Sequence, residues 1–339
     1  MRTALIRTFA AVAALLLVPA APALADDNTA TGAGAAAGRA SYEAMFDRHL
    51  GTQVRSPRDY SASYASPLEQ RVALLAEGSQ GRIGVAAIDL STGQSVSVLG
   101  DQAFPMASTS KIAIVATYLA MVDQGRASLT SEFPIRSGQY LSAMELIDLT
   151  ITRSSNPATD ALLAAVGGVQ PVNAWARRAG IEEFNLTRDI ATLVRDDGEV
   201  DPAMHIDLRD SSTPRAMVEL LSGIYQGRWL SPESRAVIVD AMERCRTGTN
   251  RIPALMPADV TVAHKTGSLN NTSSDIGIIT APDGRAIVVA IYVTGQGSRT
   301  NREARIASIA RAIYDGYVLP AANDNGRVYA SADYGVAGS

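Results

Sequence analysis

Ser108 and Lys111 stand three residues apart in the segment STSK, and their types suit nucleophilic catalysis. On a helix, residues i and i+3 share a face, so the serine hydroxyl and the lysine ammonium can meet. A serine needs an adjacent base to become a nucleophile, and a lysine that burial keeps neutral can serve as that base. The first helical turn also offers free N–H groups and a positive dipole end, which favour a developing alkoxide. By itself the spacing leaves a second interpretation open, a capping serine beside a lysine that reaches solvent.

Lysine is rare in this chain. Of the 30 basic residues, two are lysines, Lys111 and Lys265, and the other 28 are arginines. A guanidinium stays protonated in any protein environment, whereas the pKa of an ammonium falls readily on burial or beside another cation. The distribution therefore indicates that these two positions need a cation whose charge can be tuned.

Two further segments carry polar side chains that fit the same chemistry. The segment TRSSN contains Ser154 and Asn156, and the segment HKTGS contains Lys265, Thr266 and Ser268. Together with STSK, and in this order, they resemble the S-x-x-K, S-D-N and K-T-G motifs of the penicillin-recognising serine hydrolases, and most closely those of class A β-lactamases. The resemblance also includes FPMASTSK, MELIDLTITRSSNPATDALL, TGTNRIPALMP and DIGII, and it covers about residues 67–319.

The resemblance implies a fold and an activity. The expected fold class is α/β, with an antiparallel five-stranded sheet flanked by helices and a mostly helical sub-domain. The expected enzyme is a serine hydrolase that opens the amide of a β-lactam through an ester on Ser108, with no metal or other cofactor. Its substrate would be a small molecule, either a β-lactam or a D-Ala-D-Ala-like compound.

The resemblance also implies a role for each catalytic side chain. Ser108 would attack the carbonyl carbon, with Lys111 as base or proton relay. Ser154 would pass a proton to the leaving nitrogen, aided by Lys265. The backbone N–H groups of Ser108 and Ser268 would form the oxyanion hole.

Four residues are expected to bind the substrate. By the same resemblance, Asn156 would bond an amide carbonyl of the substrate, and Thr266 with Ser268 would hold its carboxylate. Arg251 falls where some members of the family supply an arginine to that carboxylate. A surface salt bridge is the alternative interpretation of Arg251.

The sequence departs from the family pattern in the middle motif, where the change concerns the rigidity of the loop, and in the omega loop, where it concerns the mechanism. Ser155 stands where an aspartate that braces the loop is usual. Counting from the middle motif, Arg188 would open the omega loop, and Asp210 would close it as the ion-pair partner of Arg188. The position of the water-activating glutamate then falls on Ile190, with Asp189 beside it.

Loss of that glutamate would slow release of the ester more than its formation, since general-base assistance is typically worth ~100- to 10,000-fold. Three outcomes stay open. In the first, an acid of the long loop replaces the glutamate and restores a β-lactamase; the candidates are Asp189, Asp196, Asp197, Glu199 and Asp201. In the second, Lys111 activates the water in a D,D-carboxypeptidase or esterase that acts on peptidoglycan-like substrates. In the third, the domain is a penicillin-binding module that is acylated without turnover.

Elements at the two ends of the folded region must position these side chains. Residues 82–100 form two β-rich runs around a Ser-Thr-Gly turn, which predicts a hairpin. The region after residue 260 predicts three more strands, the last two joined by Pro-Asp-Gly, and then a helix over 301–317. The middle of the chain has helical patterns, so the sheet and the helical sub-domain should enclose a cleft that holds the site.

The ends and the composition limit the remaining possibilities. Residues 1–25 have the basic start, apolar run and A-x-A pattern of a signal peptide, which predicts a periplasmic or secreted protein. Residues 26–66 are predicted to be a flexible linker, 67–319 the catalytic domain and 320–339 a flexible tail. The net charge of -4, without a basic stripe, argues against nucleic acid as a partner. We expect no membrane span, no metal and a monomer.

Overall fold

The structure is a computed structural model that describes residues 66–78, 80–136 and 138–319. The predicted signal peptide, all but the last residue of the predicted linker, and the predicted tail lie outside these described residues.

The strands are β1 Ile83–Asp89, β2 Ser95–Val98, β3 Phe104–Pro105, β4 Glu132–Arg136, β5 Gln139–Ser142, β6 Phe184–Asn185, β7 Ser211–Ser212, β8 Thr261–Leu269, β9 Thr272–Thr280 and β10 Ala286–Thr294. The α-helices are α1 Pro67–Ala76, α2 Lys111–Asp123, α3 Ala143–Thr152, α4 Asn156–Ala165, α5 Val169–Arg178, α6 Ile190–Arg195, α7 Pro214–Tyr225, α8 Pro232–Glu243 and α9 Arg299–Val318.

The principal sheet contains five antiparallel strands in the order β2-β1-β10-β9-β8. Strands β1 and β2 form the hairpin that the Ser-Thr-Gly turn predicts, and β9 and β10 form the hairpin around Pro-Asp-Gly. The chain enters the sheet, leaves it for the helical middle and returns at β8. The predicted fold class, α/β with a five-stranded antiparallel sheet flanked by helices, is therefore confirmed.

Strand β10 is buried on both faces. Ala290 and Tyr292 pack with the helical middle of the chain, whereas Val289 and Ile291 pack on the opposite side of the sheet. Successive side chains of a strand point to opposite faces, so a strand covered on both sides needs a continuous apolar run. This requirement explains the segment AIVVAIYVT.

The face of the sheet away from the helical middle is covered by α1 and α9. Ser66 caps α1 by accepting the N–H of Glu69 at 3.1 Å. Val72 of α1 lies in one apolar cluster with Ile306 and Ile313 of α9. These two helices, from opposite ends of the described chain, close the core on this side. Among the described residues, no helix is long and apolar enough to cross a membrane.

Helix α2 lies at the centre of the helical half. Its side chains are apolar on every side, and a helix of that kind is stable only when other elements surround it. Helices α3, α4, α5 and α8 pack around α2. Because α2 begins at Lys111, its burial places that amine in the interior.

A short sheet in the order β3-β7-β6 joins the chain before Ser108 to both ends of segment 188–210. The N–H of Met106 also donates to the carbonyl oxygen of Asp210 at 2.9 Å. The segment 188–210 is thereby anchored next to the serine of the first motif.

Candidate active site

Ser108 lies in a 3-10 turn, Ala107–Ser110, that leads into α2. Ser108 thus lies in a helical turn, as predicted, but this turn has 3-10 geometry and the α-helix itself begins at Lys111. Ala107 has φ +49°, in the left-handed region, and this residue redirects the chain from β3 into the turn. The Ser108 side chain is half-exposed, and no residue that the structure describes bonds its hydroxyl. The hydroxyl is therefore accessible to a substrate.

The Lys111 ammonium is fully buried and joins the first motif to the second. Its Nζ donates to the carbonyl oxygen of Ser154 at 2.7 Å and to the Ser154 Oγ at 3.1 Å. It also donates to Oδ1 of Asn156 at 2.8 Å. The side chain thus leaves the start of α2 and contacts the connection between α3 and α4.

The Ser154 hydroxyl lies between the two lysines. Nζ of Lys265 donates to the Ser154 Oγ at 2.9 Å and to the carbonyl oxygen of Thr266 at 2.9 Å. Ser154 has φ +55°, and this left-handed conformation at the end of α3 turns its side chain toward β8. The predicted residues Lys111, Ser154 and Lys265 are therefore brought together, although they are distant in sequence.

Burial changes the protonation of both lysines. Desolvation, together with the neighbouring charge of Lys265, lowers the pKa of Lys111 to about 6, although Asp160 opposes the shift. Desolvation lowers the pKa of Lys265 to about 8, against the negative charges of Cys245 and Asp275. At neutral pH the first amine is mostly neutral and the second mostly protonated. A proton acceptor and a cation then flank one hydroxyl, which is the arrangement that a proton relay requires.

Gly267 allows β8 to approach the nucleophile turn. A Cβ at this position would lie 2.4 Å from Oγ of Ser274 and 2.8 Å from the carbonyl oxygen of Met106, both closer than real contacts allow. The glycine of the K-T-G motif is therefore explained by packing between the strand and the turn. The close approach brings the backbone of Ser268 near the turn of Ser108, where the oxyanion hole is predicted.

Asn156 is the first residue of α4, and Ser155 is its N-cap. The Ser155 hydroxyl accepts the N–H of Ala158 at 3.4 Å, so the serine in place of the family's aspartate caps the helix. Oδ1 of Asn156 is occupied by Lys111. Its side-chain N–H donors have no partner among the described residues, which leaves them available for the carbonyl of a substrate.

Arg251 is buried, with 1% of its surface exposed, so the alternative of a surface salt bridge is wrong. It pairs with Glu303 at 3.0 Å, and its Nη2 donates to Oγ of Ser268 at 2.6 Å. Thr266, the other residue predicted to bind the carboxylate, shares a 2.6 Å hydrogen bond with Thr247. The structure thus places a buried arginine, whose charge is paired with that of Glu303, directly behind the exposed Ser268 hydroxyl.

Comparison with known proteins identifies the family. A family model described as the beta-lactamase enzyme family matches residues 67–317. The solved structure of a class A β-lactamase of the last common ancestor of Gram-negative bacteria is 34% identical with a TM-score of 0.69, and the match covers 74% of this chain and 100% of that one. The chain belongs to the class A β-lactamase family.

Curated relatives from living bacteria agree with this assignment. Beta-lactamase Toho-2 of Escherichia coli is 33% identical over 278 residues, which cover 77% of this chain and 92% of the relative. Beta-lactamase CTX-M-8 of Citrobacter amalonaticus is 31% identical over 270 residues, which cover 75% and 90%. The prediction of a hydrolase of the class A β-lactamase family is confirmed.

In this class A β-lactamase relative, the segment 188–210 is closed by an ion pair. Nε of Arg188 lies 2.7 Å from Oδ2 of Asp210, as the count along the sequence predicts. Asp189 is exposed, and its carboxylate accepts the N–H of Thr192 at 2.7 Å as the N-cap of α6. Asp189, predicted as a possible catalytic acid, therefore does not join the group of lysines and serines. Ile190, at the position counted for the glutamate, is buried.

Sequence reasoning missed the buried pair His264 and Asp275. Nδ1 of His264 lies 2.9 Å from Oδ2 of Asp275 on the neighbouring strand. Burial opposes protonation, but the charge and hydrogen bond of Asp275 prevail and raise the pKa of His264 to about 10. The position of His264 next to Lys265 was the available signal. No group of three or more His, Cys, Asp or Glu side chains in the described ranges is placed to hold a metal ion.

Proposed function

We propose that this chain is a serine β-lactamase that opens the β-lactam amide through an ester on Ser108. One observation carries the proposal: the Ser154 Oγ lies 3.1 Å from Nζ of Lys111 and 2.9 Å from Nζ of Lys265. This arrangement can move a proton from the attacking hydroxyl to the leaving nitrogen without a histidine. The family membership supports the choice of substrate.

In the acylation step, Ser108 loses its proton to the neutral Lys111 as its Oγ attacks the carbonyl carbon. The developing oxyanion is bound by the backbone N–H groups of Ser108 and Ser268. The amide nitrogen leaves with the proton of the Ser154 hydroxyl, and the lysines return a proton to Ser154. Because Lys265 stays mostly protonated at neutral pH, it stabilises the negative charge that forms on Ser154.

Substrate binding uses the exposed edge of β8. The side-chain N–H of Asn156 donates to an amide carbonyl, and Thr266 with Ser268 binds the carboxylate of the β-lactam. Arg251 contributes to the same carboxylate through its hydrogen bond to Ser268 and its charge. An exported monomer, released by cleavage near Ala25, is part of this proposal and rests on the N-terminal sequence.

We further propose that segment 188–210 is an omega loop that lacks the usual deacylating glutamate. The ion pair of Arg188 with Asp210 supports the assignment of its ends, and the buried Ile190 occupies the counted position. Formation of the ester then depends on residues outside this loop, and release of the ester must depend on another group.

The test is to mix the purified protein with a chromogenic cephalosporin and to follow product and intact mass together. Repeated turnover that disappears in Ser108→Ala supports the β-lactamase. One stoichiometric adduct without turnover identifies a penicillin-binding module instead. Release of D-Ala from a cell-wall peptide, faster than β-lactam hydrolysis, identifies a D,D-carboxypeptidase. If no adduct and no hydrolysis occur, the proposal is wrong.

A further inference from the structure

The acids of segment 188–210 are engaged away from Lys111. Both carboxylate oxygens of Asp197 accept the N–H of Asn270, at 2.8 and 3.0 Å. Asp201 accepts the side chain of Asn271 at 2.8 Å. Glu199 is exposed. None of these carboxylates contacts the two lysines or the serine of the second motif in the described residues.

Asp196 and Asp189 are the remaining acids named from the sequence, and their carboxylates also bond to groups other than Lys111. Asp196 pairs with Arg188 at 3.3 Å and with Arg195 at 3.0 Å. Asp189 caps the helix that it precedes and is exposed. The water-activating group, if the chain has one, must come from another element.

Helix α4 supplies a further carboxylate, Asp160. Asp160 follows Asn156 by four residues, and residues i and i+4 of a helix have Cβ atoms about 5–6 Å apart on one face. Asn156 binds Lys111 Nζ at 2.8 Å, so Asp160 lies one helical turn from a residue that contacts the buried amine. The two charges interact, because Asp160 raises the pKa of Lys111 and Lys111 lowers that of Asp160.

The same carboxylate contacts the loop at the position of the missing glutamate. Oδ1 of Asp160 accepts the N–H of Ile190 at 2.8 Å, and Oδ2 accepts the N–H of Ala191 at 3.1 Å. Asp160 is half-buried on α4, which packs against α6. A carboxylate therefore stands beside Ile190, but it is supplied by α4 and not by the loop.

We propose that Asp160 is the general base that activates the water for hydrolysis of the Ser108 ester. The inference rests on the proposed β-lactamase function and names the group that completes its cycle. Each carboxylate oxygen can accept more than one hydrogen bond, so the two N–H bonds fix Asp160 and leave capacity for a water.

The step conserves atoms and charge. One proton of the water passes to the Asp160 carboxylate while the water oxygen bonds to the ester carbonyl carbon. The bond from that carbon to Oγ of Ser108 then breaks, and Oγ receives the proton from Asp160 through Lys111. The product carboxylic acid loses its own proton to solvent, so the enzyme returns to its starting state.

The electrostatics favour this role. Burial raises the pKa of the Asp160 carboxyl, as does the charge of Asp189, against the N–H bonds from Ile190 and Ala191 and the charge of Lys111. A carboxylate with a raised pKa accepts a proton from water more readily than an exposed one. The raised pKa supports the geometric argument and does not replace it.

The experiment compares Asp160→Asn in the full chain with the wild type. Asparagine keeps the size of the side chain but cannot accept the proton. After rapid mixing with a chromogenic cephalosporin, we expect an unchanged burst and a steady-state rate that is ~100- to 10,000-fold lower. Intact mass should show the Ser108 ester accumulating. Asp207→Asn is the control, because Asp207 lies in the loop that Asp160 contacts and pairs with Arg209 at 2.8 Å.

Two further measurements distinguish a catalytic role of Asp160 as general base from a structural role in holding segment 188–210. Hydroxylamine, a nucleophile that needs no general base, should release the ester of Asp160→Asn, and Asp160→Glu should recover part of the steady-state rate. If Asp160 only braces the loop, Asp160→Asn will lower the burst and the melting temperature, and Asp160→Glu will not recover the steady-state rate.

Other outcomes are equally decisive. An unchanged steady-state rate in Asp160→Asn, or accumulation of the ester in Asp189→Asn alone, overturns the inference but leaves the proposed function intact. A wild type that is acylated and never turns over also overturns it. A wild type that forms no ester defeats the proposed function itself.

Discussion

At the residue scale, the buried amine of Lys111 must lose its charge at neutral pH to act as a base. Lysine can do this and arginine cannot, because a guanidinium stays protonated when buried. We therefore expect Lys111→Arg to slow acylation by ~100-fold or more, although the substitution conserves formal charge. Stopped-flow measurement of the burst with a chromogenic cephalosporin gives the rate. Arg126 is exposed, so the variant Arg126→Lys is the control: it exchanges an arginine and a lysine away from the site and should leave the burst unchanged.

Lysine titration also predicts the pH profile of acylation. Since the pKa of Lys111 is lowered to about 6, the amine accepts a proton only above that pH. Since the pKa of Lys265 is lowered to about 8, its charge is lost above that pH. The value of kcat/KM should therefore rise through pH 6 and fall through pH 8. A profile without change between pH 5 and 7 would contradict the role of Lys111 as a base.

The residue types of the site could be predicted from the sequence, but their contacts could not. The spacing of Ser108 and Lys111 is local, so the helical period suffices to place both residues on one turn, although their side chains share no hydrogen bond in the structure. The bonds from Lys111 to Ser154, and from Arg251 to Ser268, join residues on elements that meet only in the tertiary fold. The contacts of Asp160 with Ile190 and Ala191 could not be predicted for the same reason.

At the element scale, β8 must lie against the nucleophile turn, and Gly267 makes this possible. A Cβ there would meet Ser274 and Met106 at distances that force one element to move. We expect Gly267→Ala to cost ~1–3 kcal/mol of stability and to slow acylation, because the turn shifts with it. Thermal unfolding and burst kinetics measure both. Gly93→Ala, where φ is +74° and a Cβ meets nothing within 4 Å, should lower stability through backbone strain alone and leave acylation unchanged. Equal slowing of acylation in both variants would refute this explanation.

Strands β8 and β9 are also joined by His264 and Asp275. The pKa of His264 is raised from 6.5 to about 10, so the folded state binds its proton more tightly than the unfolded state. The stabilisation is therefore fully present below pH 6.5 and is lost as the pH rises through 10. The comparison is made in the Cys245→Ser variant, which lacks the thiol that bonds His264. There, the protein that keeps His264 should have a higher melting temperature at pH 6 than the protein that also carries His264→Gln. At pH 10.5 the two melting temperatures should not differ in this way. A difference independent of pH would contradict the charged pair.

Strands and the final helix could be predicted because their patterns are regular. The hairpin turns and the apolar runs define β1, β2, β9 and β10, and α9 contains the helix predicted over 301–317. The 3-10 turn before α2 could not be predicted, because it depends on Ala107 at φ +49° and on contacts with β8. Short elements of this kind are set by tertiary packing.

At the scale of the whole molecule, the sheet and the buried helix α2 together position the site. The sheet supplies Lys265 and the edge of β8, and the helical half supplies Ser108, Lys111 and Ser154. The order of the three motifs along the chain was sufficient to predict which of them lie on the sheet and which lie in the helical half. The family match begins at the first residue of α1 and ends in the last turn of α9, the two helices that cover the other face of the sheet.

The central claim is that Ser108 forms a covalent ester with a β-lactam. It is tested most directly by mass spectrometry of a tryptic digest after acid quench of the protein with a penicillin. Cleavage after Arg82 and Lys111 gives one peptide that contains Ser108. We predict that this peptide gains the mass of the intact penicillin, that fragmentation locates the addition at Ser108, and that Ser108→Ala carries none. Hydrolysis of the penicillin with no addition to this peptide, or with undiminished rate in Ser108→Ala, would contradict the account.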